Sequence, residues 1–122
     1  MIKKENTRER PMTAVRKAEL LDSISVYLDK NLHTRITLKD VAEHFHVSVS
    51  TVTQLFQRKA GITFHQYLTR KRMEAAAEQI RSGVPLEEVG KQLGYTDHSS
   101  FYRAFKQTYG VSPREFKRGR EK

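Results

Sequence analysis

The stretch Thr63–Ser82, TFHQYLTRKRMEAAAEQIRS, does most to limit what this chain can become. It reads as one long helix. Thr63 suits an N-cap, the interior lacks Gly and Pro, and Ala, Glu, Gln, Arg, Met and Leu favour helix. Gly83 and then Pro85 close it. At about 100° per residue its apolar residues do not share one stripe. Phe64, Tyr67 and Leu68 fall on one side, and Met73, Ala76, Ala77 and Ile80 on nearly the opposite side. A helix whose buried face changes sides must pack against one body at its start and another at its end. The chain is therefore expected to be all-α, with two small lobes on a bridge.

The flanking segments fit that plan. Residues 1–12 are charged, nearly free of apolar side chains, and read as a flexible lead-in or linker. A helix is expected from about Thr13 to Asn31, with Leu21, Ile24, Leu28 and Leu32 inward and Val26 and Tyr27 widening that face. Thr37 and Asp40 form a capping-box-like start for a second helix, with Val41, Ala42 and Phe45 inward, that stops at His46. Ser48 is placed to cap a third helix, Val49 to about Ala60, that buries Val52, Leu55 and Phe56 and ends at Gly61. Two short helices across a tight turn make a helix-turn-helix unit.

Beyond the bridge the pattern returns. Leu38, Asp40, Val41, Ala42, Phe45 and Val47 recur 48 residues on as Leu86, Glu88, Val89, Gly90, Leu93 and Tyr95. Past the turn the offset becomes 49: Val52, Phe56, Gly61, Ile62, Thr63 and Tyr67 match Phe101, Phe105, Gly110, Val111, Ser112 and Phe116. Like chemistry in so many pairs, with one extra residue in the second turn, indicates an internal duplication. Ser112-Pro113-Arg114-Glu115 reads as a complete start for a last, short helix. The expected organisation is a lead-in over 1–12, a first lobe over 13–61, the bridge over 62–83, a second lobe over 84–118 and a basic tail over 119–122.

Charge narrows the partner. The formal net charge of +9 on 122 residues points to an anionic one, such as nucleic acid, an acidic membrane surface or an acidic protein. No run of about 18 apolar residues is present, so no membrane span is expected. The first residues lack the apolar core of a secretory signal. There is no cysteine, which removes thiol catalysis and thiolate-bound zinc and fits a reducing cytoplasm. His44, His46 and His65 lack the spacing of a helical zinc site, and no phosphate loop, nucleophile elbow or carboxylate pair occurs. No enzyme, metal or cofactor is expected.

In a helix-turn-helix the second helix enters the DNA major groove, and its N-terminal half reaches base edges. Opposite the core side of Val49–Ala60 lie Ser50, Thr53 and Gln54. The matching positions after Asp97 are His98, Ser99, Tyr102 and Arg103. Gln54 can read adenine and Arg103 guanine by paired hydrogen bonds, and Thr53 can set a methyl against thymine. Arg58 and Lys106, deeper along their helices, are placed for phosphate. The helix starts at Ser48, Thr63 and Ser112 suit phosphate as well.

These residues resemble the DNA-binding domain of the AraC/XylS family of bacterial transcription regulators, from about Leu20 to Arg118. The resemblance is most specific over Gly94-Tyr95-Thr96-Asp97-His98-Ser99-Ser100-Phe101-Tyr102-Arg103-Ala104-Phe105-Lys106 and Gly110-Val111-Ser112-Pro113. Leu38, Val41, Ala42, Phe56, Gly61, Tyr67 and Leu68 fit its first half. It implies seven helices in two helix-turn-helix lobes joined by a long central helix. It also implies promoter binding, usually with activation, and base reading by the seven outward residues just named. Ser50 and Gln54 are small or neutral where some members carry large or basic residues, which implies different preferences in the first lobe. The resemblance fits a short stand-alone regulator or an excised domain equally, and the separate effector or dimerisation domain of most members is not represented.

The expectation is thus a transcription regulator, working in the cytoplasm at the nucleoid. It would bind an asymmetric promoter site on double-stranded DNA as a monomer, with RNA polymerase as a further partner. The alternatives are a basic protein that coats nucleic acid without sequence preference, and a module for an acidic protein. Uncharged readers such as Gln54 favour the first reading, because charge attraction alone needs none.

Overall fold

The computed structural model describes residues 13–120. The expected lead-in over 1–12 and the last two residues of the expected tail lie outside them. Among the described residues the chain forms seven helices: α1 Ala14–Lys30, α2 Leu38–His44, α3 Val49–Leu55, α4 Phe64–Arg81, α5 Leu86–Gln92, α6 His98–Tyr109 and α7 Pro113–Arg120. A π-helical turn, Phe56–Ala60, continues α3. The last helix, expected to fade into the basic tail, runs to Arg120.

Local chemistry accounts for most of the boundaries. Thr13, Thr37, Ser48, Thr63 and Asp97 each accept the N–H of the third helical residue, the ordinary use of a capping oxygen. Thr37–Asp40, Thr63–Gln66 and Ser112–Glu115 are reciprocal capping boxes, with all bonds between 2.9 and 3.1 Å. The bridge α4 ends as Gly83 takes φ +91°, with Gly83 N–H on the Ile80 carbonyl and Val84 N–H on that of Gln79. Those two bonds satisfy carbonyls that the helix end would leave open.

Both helix-turn-helix units use that same terminator. Val47 N–H donates to Ala42 O and His46 N–H to Glu43 O; Tyr95 N–H donates to Gly90 O and Gly94 N–H to Lys91 O. The pivot is left-handed in each copy, with His46 at φ 58° and Gly94 at φ 86°. Histidine tolerates that region better than most side chains, though less well than glycine. The copies diverge where their helices cross. Gly90 replaces Ala42 because Phe101 replaces Val52: a Cβ on Gly90 would lie 3.1 to 3.2 Å from the Phe101 ring and Cβ. The larger aromatic occupies the space of the missing methyl.

The bridge buries two opposite faces. Phe64 and Leu68 are buried near its start, where Phe64 and Tyr67 pack on Phe56 with ring centroids 5.6 and 4.9 Å apart. Met73, Ala76, Ala77 and Ile80 are buried in its second half, which packs on α5, α6 and α7. Tyr109 donates its hydroxyl to the Met73 carbonyl at 3.1 Å. Ile24, Leu28 and Leu32 of the first lobe join the same contiguous core as Val89, Phe101 and Phe105 of the second. Each fully buried Phe, Ile or Leu contributes about 1.5–3 kcal/mol.

Two expectations need correction. Val26 is 52% exposed, not part of the inward face of α1: at 100° per residue it lies 160° from Ile24. The helix expected to run regularly from Val49 to Ala60 changes pitch at Phe56, so that Gly61 N–H reaches the Phe56 carbonyl at 2.8 Å, five residues back. In the second copy Gly110 N–H instead reaches Lys106, four back, at 2.7 Å.

Two stability predictions follow from these contacts. Gly94→Val forces a β-branched residue to positive φ and brings a Cβ to 3.3 Å from the Leu32 carbonyl, so it should cost about 2–3 kcal/mol. His46→Gly should instead stabilise by about 1 kcal/mol or less. Thermal melts showing Gly94→Val at the parent midpoint would refute the account of the turn. Gly90→Ala should destabilise by about 1–3 kcal/mol through overpacking on Phe101, despite its better helix propensity. In combination with Phe101→Val, the loss should fall short of the sum of the two single losses by about 1 kcal/mol. Strict additivity in urea denaturation would show that the two positions do not share space.

Candidate nucleic-acid interface

The expected reading residues lie on the starts of α3 and α6, and the caps hold those starts in place. At α3 the Ser48 hydroxyl accepts Thr51 N–H at 3.0 Å and donates to Thr51 Oγ1 at 2.9 Å. At α6 the Asp97 carboxylate accepts Ser100 N–H at 2.7 Å and the Ser100 hydroxyl at 3.0 Å. Val52 and Phe101 are buried on the inner side, with Phe101 against Tyr95 and Phe105. That burial fixes which residues turn outward.

Ser50 and Gln54 are exposed, and Gln54 Nε2 lies 3.4 Å from Ser50 Oγ, a long contact that an incoming acceptor can replace. Thr53 is half-buried beside them. On α6, His98, Ser99, Tyr102 and Arg103 are all exposed, and Tyr102 keeps 40% of its surface in solvent although aromatic. The His98 ring lies 6.2 Å from the Tyr102 ring and 6.4 Å from the Phe101 ring. Each helix start thus carries its own cluster of hydrogen-bonding side chains, one neutral and one with a cation.

Burial separates the expected phosphate contacts. Arg58, on the π-helical turn, and Lys106, on α6, are exposed. Thr63 is exposed, and its capping box leaves the N–H groups of Phe64 and His65, which a helix cannot satisfy internally. The Ser48 hydroxyl is exposed but engaged in its cap. Ser112 has to be set aside. It is 3% exposed, its hydroxyl is committed to Glu115 N–H, and the Glu115 carboxylate stands at the helix start. A negative charge there opposes a phosphate.

Sequence reasoning passed over a further basic feature. Arg114, Lys117 and Arg118 of α7 line a groove of 430 Å³ with Pro85, Leu86 and Glu87. The signal was present in the basic run before residue 120, but only the fold brings it against the start of α5. Among the described residues no three His, Asp or Glu side chains converge as metal ligands. Among them, too, no helix is long and apolar enough to cross a membrane.

The cap of α6 is also an acid–base element. The Ser100 N–H, then the Ser100 hydroxyl, hold the Asp97 carboxyl below its ordinary value, and Arg103 adds a smaller pull in the same direction. The carboxylate form is the one that caps. Its stabilisation is therefore fully present above the ordinary Asp value and is lost as pH falls through the lower, folded-state value. In an NMR titration the Asp97 midpoint should lie below that of an unstructured Asp. Ser100→Ala should move it up, towards the ordinary value. A midpoint indifferent to Ser100→Ala would show that this hydroxyl does not hold the cap.

A family model described as a helix-turn-helix domain matches residues 41–119. The chain is 32% identical over 104 residues to "Probable transcriptional regulator LumQ" of Photobacterium leiognathi, covering 83% of this chain and 42% of that protein. Among solved structures, the C-terminal domain of AraT, a response regulator from Geobacillus stearothermophilus, superposes with a TM-score of 0.76 at 33% identity, over 82% of this chain and 84% of that one. The DNA-binding domain of AdpA, solved in complex with a target DNA, gives a TM-score of 0.73 at 19% identity over 84% of this chain and 90% of that one, a likeness of fold. The chain spans less than half the length of the first curated relatives that it matches.

Proposed function

The chain belongs to the AraC family of helix-turn-helix regulators, and from that premise we propose that it binds double-stranded DNA in sequence-specific fashion and regulates transcription. Relatives and fold are those of regulators rather than enzymes. The observation that carries the reading is the pair of buried-backed helix starts, α3 and α6, that expose chemically different readers from one rigid bridge. An α4 of 18 residues is about 27 Å long. Successive major-groove segments on one side of B-DNA lie about 34 Å apart. With the offset of each lobe beyond its end, the bridge has the length to serve adjacent segments.

In this reading Ser50, Thr53 and Gln54 meet one segment and His98, Ser99, Tyr102 and Arg103 the next. Arg58, Lys106, Ser48 and the start of α4 at Thr63 meet phosphates. The two lobes follow in the same chain order with different readers, so the site is asymmetric, of about 20 base pairs. One chain suffices for it, as a monomer. The outcome at the promoter is activation through contact with RNA polymerase, in the cytoplasm at the nucleoid. A basic coat without sequence preference is the competing reading, and it gives no reason for neutral readers such as Gln54.

Selection of bound sites from random DNA, followed by titration at about 0.15 M salt, tests the proposal, since counterion release alone favours no sequence. Arg103→Ala should lose about 1–3 kcal/mol on the selected site and relax preference at one or two base pairs. Lys106→Ala should weaken all sequences alike and lower the salt slope by about one. Recovery of no preferred sequence would leave the coating reading in place. An Arg103→Ala variant with the parent preference would remove Arg103 from the readers.

A further inference from the structure

The lobes meet at a second place besides the bridge. The turn of the second helix-turn-helix sits on the loop that follows α1 in the first lobe: a Cβ on Gly94 would lie 3.3 Å from the Leu32 carbonyl and 3.5 Å from that of His33. The same Cβ would lie 3.4 Å from Nη2 of Arg72. Arg72 stands near the middle of α4, where the buried face changes sides. Its Nε donates to Leu32 O at 3.2 Å and its Nη2 to Thr34 O at 2.7 Å. Its guanidinium lies 5.9 Å from the centroid of the Tyr95 ring, in the second turn.

One planar group therefore holds the backbone of the first lobe by two bonds and an aromatic of the second by its face. Its neighbours on α4 serve one lobe each. Lys71 pairs with Asp29 of α1 at 2.9 Å, and Met73 receives the Tyr109 hydroxyl of α6. Arg72 and Tyr95 are both drawn partly out of water, which lowers the pKa of the first and raises that of the second. A guanidinium in this setting has directional bonds that a point charge cannot copy, because its fork fixes the directions of the donors.

We propose that Arg72 is a positioning residue that sets the distance and angle between α3 and α6 and thereby the half-site spacing that this protein accepts. This rests on the reading of the two helix starts as a DNA interface. The bridge is stiff along its axis, but stiffness of a helix does not prevent the lobe at its end from swivelling about it. The contact from Arg72 to the carbonyls of Leu32 and Thr34 and to Tyr95 lies off that axis and resists the swivel. Since the partners in the first lobe are backbone carbonyls, the contact depends on the fold of that loop and not on its side chains.

The test separates the lock from the DNA reading. The chain has no cysteine, so Gln57→Cys and Gln107→Cys, both at exposed positions, give two specific spin-label sites, one in each lobe. Pulsed electron–electron distance measurement without DNA should give a narrow distribution in the parent. Arg72→Met, which keeps much of the stem but no donors, should broaden it. On DNA, the parent should discriminate between the selected site and one with about five base pairs inserted between half-sites. Arg72→Met should reduce that discrimination about tenfold, with affinity for an isolated half-site unchanged within error. If Arg72→Met loses its helical circular dichroism, Arg72→Lys replaces it. The Lys variant keeps the charge but cannot hold both carbonyls in that fixed geometry, and it should broaden the distances in the same direction. An unbroadened distribution in a folded variant overturns the proposal, as does parent-like discrimination between spacings. A parent that prefers no DNA sequence would refute the DNA reading, and the label distances would then still decide whether Arg72 locks the lobes.

Discussion

Everything in this molecule hangs on one helix burying opposite faces at its two ends. Phe64 and Leu68 are buried near its start, and Met73, Ala76, Ala77 and Ile80 on the other side of its second half. The backbone hydrogen bonds between them are continuous through α4. With about 1.5–3 kcal/mol for each large side chain fully buried, either face is worth a sizeable part of the net stability of a small domain. Neither lobe can release its end of α4 cheaply. The helix therefore acts as a ruler between two lobes, and its phase, not only its length, relates them. The contact from Arg72 to the loop after α1 and to Tyr95 adds an off-axis constraint to that ruler.

The two lobes show how a repeated unit drifts while its geometry holds. Both short first helices end in the same pair of backbone bonds around a left-handed residue, yet one uses His46 and the other Gly94. At the crossing, Ala42 with Val52 in one copy becomes Gly90 with Phe101 in the other, so a larger side chain enters as a methyl leaves. The caps diverge as well. Ser48 leaves the start of α3 uncharged, whereas Asp97 puts a carboxylate at the start of α6, close enough for Arg103 to affect its titration. The start of α6 thus carries both an acid and a cation, where the start of α3 carries neither.

Much of this was legible in the residues. Caps and stops are local chemistry: Thr13, Thr37, Ser48, Thr63, Asp97 and the glycines at 61, 83 and 110 mark helix ends through bonds to residues within a few positions. The split face of the bridge and the 48- and 49-residue offsets are periodicities, and periodicity states which side of a helix is buried without stating against what. The outward positions on α3 and α6 came from the same arithmetic, and their exposure agrees with it, Thr53 being half-buried.

What only the folded chain decided is what depends on partners distant in sequence. The Ser112–Glu115 capping box is local, but that Ser112 is buried depends on how the start of α7 seats in the second lobe. The pitch change at Phe56 has no marker in its residues. Arg72 reads in sequence as one more cation of a basic helix; it became a clamp because Leu32, Thr34 and Tyr95, 40 and 38 residues before it and 23 after it, converge there. Hydrogen-bond and packing partners at such separations are selected by the geometry of the whole core, whereas caps, turns and helical faces are settled within a few residues. That is why the sequence alone determined the helices, their ends and their outward faces, and only the tertiary structure decided how the two lobes are locked together.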